Sequence, residues 1–366
     1  VTLLVLASTP AKAESYVLLY GMLDAGLAYI DNGGGAHSFS QTSGLDGPNF
    51  FGFKGREDLG GGLAAIFDLQ SSFAINTGAA SSYSGNYSSA TPAAPNGLPG
   101  TGFDRRAIVG LNSNTFGTLV VGRDFSPSYY AWVKADIFQL QSLGNANTVI
   151  GLGGVEHFGR VSNAVFYISP NLYGLTVHLT YSLGDQSPGG IGNPPTNAGR
   201  LFGVSGVFEK QNLTLAASYQ RATFANIAGS PPAFTGSTSD RWDYLFGGRY
   251  KFGIFEASGG YWKEGTPVSA WDAWLGAGVQ IGIDTLQVQV QRLAQDNPTG
   301  EVGRGTVFGI SYKHPLSKST FVYADYGRVW NNSTGNFSLF GGAIAIAPST
   351  VGADPNAFGI GIRHFF

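Results

Sequence analysis

Apolar and polar positions alternate along this chain with a period of two over many short stretches, the spacing of a strand with one apolar face. Residues 286–292 show it most clearly: Leu286, Val288 and Val290 take one phase, and Gln287, Gln289 and Gln291 the other. In residues 16–29, Val17, Leu19, Gly21, Leu23, Ala25, Leu27 and Tyr29 share a face, and Asp24 lies on the opposite one. Residues 51–56 set Phe51 and Phe53 against Lys54 and Arg56, and residues 63–70 set Leu63, Ala65, Phe67 and Leu69 against Asp68 and Gln70. The last stretch sets Phe358, Ile360, Ile362, His364 and Phe366 against Gly359, Gly361 and Arg363.

Similar stretches fall at 105–111, 118–123, 160–168, 175–182, 201–208, 213–220, 242–250, 255–262, 271–280, 308–313 and 321–326. Short turns such as 57–62 and 251–253 alternate with long loops rich in Gly, Ser and Pro, such as 74–102 and 183–199. The pattern predicts an all-β fold of about sixteen antiparallel strands closed into one transmembrane barrel, with short turns at one rim and long loops at the other. Closure also removes the edge strands that invite aggregation.

One connection stands apart. Residues 124–159 separate two strands and hold Tyr129, Tyr130, Trp132 and Phe138, the acids Asp136 and Glu156, and the run Gly151-Leu152-Gly153-Gly154. Structureless connections this long are uncommon and usually functional. The segment is expected to fold inward and narrow the pore.

Composition supports the membrane reading. Charged residues make up 12%, about half the usual globular share, as expected when one face of every strand meets lipid. No apolar run reaches the length of a membrane-spanning helix, so the spans must be strands. There is no cysteine for a disulfide framework or a thiolate metal site. The net charge of −2 argues against a nucleic-acid partner. Residues 1–13 read as the C-terminal part of a signal peptide: an apolar run, then the small-x-small site Ala11-Lys12-Ala13. Residues 14–366 would form the single barrel domain.

Enzyme chemistry has no foothold. His37, His157, His178, His314 and His364 are scattered without a metal-ligand spacing, and no nucleophile elbow or phosphate loop is present. No catalytic residue, cofactor or metal is expected. A barrel enzyme would need a Ser/His/acid cluster at the rim, and an adhesin or structural barrel would lack a long inward loop.

Several stretches resemble the general porins of Gram-negative bacteria, of the Burkholderia, Bordetella and Neisseria type. They are Leu19-Tyr20-Gly21-Met22-Leu23-Asp24-Ala25-Gly26, Gly52-Phe53-Lys54-Gly55-Arg56-Glu57-Asp58-Leu59-Gly60-Gly61-Gly62, Arg106-Ala107-Ile108-Val109-Gly110-Leu111, Phe116-Gly117-Thr118-Leu119-Val120-Val121-Gly122-Arg123, Tyr167-Ile168-Ser169-Pro170-Asn171, and the terminal Gly361-Ile362-Arg363-His364-Phe365-Phe366. The resemblance implies a 16-stranded homotrimer in the outer membrane, a passive channel for small hydrophilic solutes and ions, and a third external loop in the lumen. It also implies contact with outer-membrane lipid, lipopolysaccharide and the barrel-assembly machinery, with Phe366 as the assembly signal. Gln70 and Phe166 stand where relatives often carry Glu and Lys.

Alternation puts Lys54, Arg106 and Arg160 opposite the apolar phase, and with Arg56 and Arg123 they would form a basic ladder on the pore wall. Asp124, Asp136 and Glu156 would face it across the constriction. Such walls of charge select ions by Coulomb attraction. Because the bases outnumber the acids, a weak anion preference is expected. Aromatics at strand ends (Tyr16, Tyr29, Trp242, Tyr261, Trp271, Phe358, Phe366) would form interfacial girdles.

Overall fold

The computed structural model describes residues 15–80, 86–87, 102–146, 159–184, 199–228, 233–265, 269–296 and 300–366. The expected signal segment at residues 1–13 and the expected pore acid Glu156 lie outside the described residues.

Sixteen strands make the wall. They are β1 Tyr16–Asp31, β2 Phe50–Gly60, β3 Leu63–Ser72, β4 Arg106–Ser113, β5 Gly117–Phe125, β6 Arg160–Ile168, β7 Leu175–Leu183 and β8 Arg200–Lys210, followed by β9 Leu213–Ala228, β10 Ala233–Phe252, β11 Phe255–Gly265, β12 Ala270–Ile281, β13 Asp284–Asp296, β14 Val302–Pro315, β15 Thr320–Asn331 and β16 Asn356–Phe365. Each pairs antiparallel with the next, and β16 returns to β1 with Arg363 opposite Asp24 and Ile360 opposite Leu27. The sheet therefore closes, and its wall strands find their backbone partners within the ladder, as a lipid-facing chain must. A short arm, His37–Ser43, pairs with the second half of β1, and β2 pairs with the first half.

Side chains sort as the alternation predicts. Leu19, Phe53, Val109, Leu119, Phe246, Leu275 and Ile360 are exposed on the outer row. Asp24, Asp68, Gln220, Gln289 and Gln291 are buried on the inner one. This is the reverse of a soluble protein, and it follows from having lipid outside and a polar lumen inside. The tight connection between β2 and β3 is made by Gly60, Gly61 and Gly62, all at positive φ (87°, 61° and 79°), a conformation that L side chains rarely adopt.

Two strand bounds exceed the expectation. The hairpin of β9 and β10 continues well beyond residues 220 and 242, with a register irregularity between Ala225 and Ile227. β5 runs on to Phe125, so Asp124 belongs to the wall. The described part of the third loop also contains a helix that alternation did not announce, α1 Pro127–Ala135.

Candidate functional site

The third loop begins with local chemistry written in the sequence. Ser126 caps α1, its hydroxyl accepting from the Tyr129 N–H at 3.1 Å, and Pro127 occupies the first turn, where its missing N–H costs nothing. At the other end the Asp136 N–H donates to the Trp132 carbonyl at 2.9 Å, while the Asp136 carboxylate accepts from the Leu140 N–H at 2.6 Å. The chain then turns sharply, with Gln139, Leu140 and Ser142 at positive φ. Such non-glycine conformations persist only where surroundings enforce them. Here the Asn145 side chain donates to the carbonyls of Gln141, Ser142 and Gly341, and the Ser142 hydroxyl donates to Asp46.

Residues 127–145 pack against the inward row of β8–β15. Trp132 stacks between Trp262 and Trp274, with ring centroids 5.6 and 6.1 Å away. These rings, with Ala131, Ala135, Leu140, Leu143, Leu245, Leu293 and Val307, form a buried apolar cluster. Glycines open the space for it. A Cβ on Gly247 would come 2.9 Å from Ala135 Cβ, one on Gly276 would come 2.7 Å from Ile137 Cγ2, and one on Gly309 would strike the Leu143 carbonyl. Polar groups complete the attachment: Gln287 donates to the Ile137 carbonyl at 3.0 Å, Gln291 to the carbonyls of Gly144 and Asn145 at 2.6 and 2.9 Å, and Ser128 to Asp243 at 2.8 Å.

This packing corrects the expectation for Asp136. It is fully buried, its carboxylate held by the Leu140 N–H and the Gln289 side chain of β13. Burial pushes its carboxyl up to about 6, against the opposing hydrogen bonds from Leu140, Gln289 and Phe138. A loop acid buried in this way fastens the turn and makes no direct contact with a passing ion.

The inward row of β1–β6 carries the bases. Arg106 is the centre of a network: Nη1 donates to Asp68 at 3.0 Å, Nε and Nη2 to Asp124 at 2.8 and 3.1 Å, and Nη2 to the Tyr130 hydroxyl at 2.7 Å. Lys54 Nζ stands 4.6 Å from the centre of the Tyr20 ring, whose hydroxyl donates to Asp68. Arg56 donates to Asn112 at 2.8 Å nearer the short-turn rim. Arg160 is buried with its guanidinium 4.7 Å from the centre of the Phe125 ring.

Two expectations change here. Asp124 lies beside Arg106 on the same wall, not across from it, because β5 extends past Arg123. Arg123 pairs opposite Ala107 in the outward phase and donates to the Asp104 carbonyl and the Ser162 hydroxyl at 2.7 and 2.6 Å. Ordinary alternation along β5 separates these neighbours, and the extra residue of the register irregularity here lies on β6, between Val161 and Ala164.

A second charged cluster escaped the sequence reading. Asp46, from the first external loop, pairs with Lys313 at 2.8 Å and with Arg363 at 3.1 Å. Burial opposes its charge, but Lys313 and Arg363 overcome that penalty and hold its carboxyl below the usual range. The phase of Arg363 opposite the apolar residues was visible in the sequence; its partner on a distant loop was not.

The closed barrel with a loop seated on one inner wall is the architecture of a solute channel. The profile of the Gram-negative porins matches residues 1–335. The chain belongs to the Gram-negative porin family. Among its relatives, outer membrane porin protein 32 of Delftia acidovorans is 27% identical over 98% of this chain and 97% of its own length. An outer membrane porin of Bordetella pertussis is 27% identical over 97% of this chain and 96% of its own. The anion-selective porin from Comamonas acidovorans shares the fold, with a TM-score of 0.75, 24% identity, and coverage of 96% of this chain and 100% of that one. The trimeric form of OmpT from Vibrio cholerae does so at a TM-score of 0.67 and 15% identity, covering 97% and 100%. This porin is therefore an outer-membrane β-barrel, a passive channel for small hydrophilic solutes and ions, of a family whose members are channels rather than enzymes.

Proposed function

We propose that the aqueous path of this porin runs between the third loop and the inward face of β1–β6, and that it prefers small anions weakly. The observation that carries this is the one-sided seating of residues 127–145 on β8–β15, which leaves the wall bearing Lys54, Arg56 and Arg106 as the other side of the narrowing. On that wall Lys54, Arg56 and Arg106 remain partly exposed, whereas Asp24, Asp68 and Asp124 are buried, Asp68 and Asp124 against Arg106, and Asp58 lies at the short-turn end of β2, so the accessible charge at the narrowing is positive. The anion-selective Comamonas acidovorans porin provides a precedent for the sign on the same fold. The test is the reversal potential under a potassium chloride gradient. Arg106→Gln leaves Asp68 and Asp124 without their guanidinium and should lower chloride over potassium permeability. An unchanged potential at low salt would place the path elsewhere.

We further infer that the porin works as a homotrimer through the outer face of its first strands, where Ala25 and Ala65 permit close approach; Gly21, on the same phase, is covered by the Phe366 ring. A heat-resistant trimer on gels and by light scattering is expected; a monomer with intact conductance would refute it. Phe366 is read as the residue recognised by the barrel-assembly machinery. Its backbone bonds to both backbone groups of Gly21, at 3.0 and 3.2 Å, and its ring lies over that glycine. Deleting it should lower surface levels more than it destabilises the finished barrel, since one phenyl ring contributes only about 1.5–3 kcal/mol on burial.

A further inference from the structure

Water-filled barrels are lined by polar groups, and on β8–β15 the large inward apolar residues are covered. Leu245, Val307 and Val329 lie buried in the cluster around Trp132. The short-turn half of β1 and β2 departs from this. Tyr16 and Leu18 pair opposite Arg56 and Lys54 in the inward phase, yet they are 48% and 46% exposed. Tyr16, expected in the outer aromatic girdle, thus takes the lumen side instead. Tyr20, the next inward residue of β1, is half-buried with the Lys54 ammonium over its ring. On the other side of Arg56 the register leads to Ile66, then through Gly110 to Val120 and Phe166, an apolar lane across the wall.

The two bases in this patch carry unopposed charge. Among the described residues no carboxylate forms an ion pair with Lys54 or Arg56. The acids nearby have other partners: Asp68 and Asp124 hold Arg106, and Asp58 accepts from the Gly60 N–H at 2.9 Å. Arg56 gives one bond to Asn112 and stays partly exposed, as Lys54 does. Two residues apart on one strand, the bases have backbones about 7 Å apart, so both side chains can converge on one small anionic group.

Exposed apolar surface beside unpaired cations is the lining of a small-molecule site, in which apolar contact supplies affinity and a few charged groups fix orientation. Covering that surface is favourable in proportion to its area. We propose that the short-turn half of the β1–β2 wall is a subsite for carboxylates that carry a compact apolar body. The carboxylate lies between Lys54 and Arg56, and the body covers Leu18 between Tyr16 and Tyr20. An inorganic anion gains nothing from Leu18, and a neutral ring gains nothing from the two bases. The solutes singled out are therefore amphipathic organic acids, with benzoate as the probe.

This subsite deepens the reading of the permeation path given above and rests on it. The full chain is inserted into planar bilayers in dilute potassium chloride at pH 7, and its current is titrated with benzoate, acetate and benzyl alcohol. Benzoate should reduce the current at about a tenfold lower concentration than acetate, the ratio expected from covering one side of a ring. Benzyl alcohol should not reduce it over the same range. Leu18→Asn, which keeps both bases, should bring benzoate to the acetate value. Lys54→Gln with Arg56→Gln should weaken the block by both acids. Leu316→Asn, at an exposed apolar position on the turn between β14 and β15, should retain the wild-type ratio. The subsite is overturned if benzoate and acetate act at equal concentration on the wild type, if Leu18→Asn leaves the ratio intact, or if Leu316→Asn abolishes it. The reversal potential in potassium chloride separates the two readings. An anion preference that Arg106→Gln lowers, together with equal action of the two acids, fails the subsite alone. A Leu18-dependent ratio in a channel whose potential ignores Arg106→Gln fails the path, while the contact of the acid with Leu18 is upheld.

Discussion

The two inner walls of this barrel are built on different physics. On β8–β15 the wall is a hydrophobic core in the ordinary sense, with Trp132, Trp262 and Trp274 stacked and glycines placed where the loop backbone comes closest. On β1–β6 the wall is a polar network centred on Arg106, which reaches two carboxylates and a tyrosine at once. The first wall fixes where the loop is; the second provides charge. Burial is insensitive to salt, whereas exposed charges reach only about 8–10 Å at physiological ionic strength. Loop position and ion preference should therefore respond to different perturbations.

The largest separation should come from Trp132→Ala. Removing a buried indole costs about 3–5 kcal/mol through lost transfer energy and the cavity left behind. It should loosen residues 127–145 from β11 and β12, seen as faster protease cleavage near Gln139, noisier single-channel current and a lower unfolding temperature. The sign of the reversal potential should persist, because the β1–β6 bases are untouched. An intact loop after this change would mean that the Gln287 and Gln291 bonds hold it unaided.

Asp136 gives a smaller effect with a defined pH dependence. Its folded pKa, raised from 3.8 to about 6, means that the folded state binds the proton more tightly than the unfolded one. Between pH about 4 and 6 the unfolded state carries fewer protons, so stability falls as pH rises through this window and is greatest below it. The shift corresponds to no more than about 3 kcal/mol. Asp136→Asn should flatten that pH dependence while retaining an acceptor for the Leu140 N–H. Thermal unfolding at pH 4 and pH 7 checks it; an equal pH slope in both proteins would place the titrating group elsewhere.

The contrast between the walls also explains what was legible beforehand. Alternation decides which face a strand residue takes, so sixteen strands and the inward phase of Lys54, Arg56 and Arg106 could be read directly. Arg123 shares the parity of the outward Leu119 and Val121, and Asp124 that of the inward Val120, but only a strand carried past residue 123 shows that Asp124 belongs to the wall. The helix of the third loop had a local signal, Ser126 followed by Pro127, that alternation does not weigh. The burial of Asp136 depended on contacts with strands more than a hundred residues away, and no local pattern records those. Glycines 247, 276 and 309 each read as an ordinary strand glycine; only the register reveals that they seat one loop.

The smallest predicted effect is the sharpest test of the division. Lys54 lies on the bare wall, its ammonium over the Tyr20 ring and its stem half-buried. Arg249 lies on the inward row of the opposite wall, 3.6 Å from Glu256. Each substitution by Gln removes one positive charge from the lumen, so a selectivity set by total charge would change equally in both. If the permeation path follows the β1–β6 wall, only Lys54→Gln should lower chloride over potassium permeability. One charge at this distance is worth a change of about twofold or less in dilute salt, and at 1 M the screening length of about 3 Å should erase it. Arg249→Gln should leave the reversal potential at its wild-type value in both solutions. Equal shifts from the two variants would mean that ions sense the whole lumen, and the distinction between a wall that positions and a wall that selects would fail.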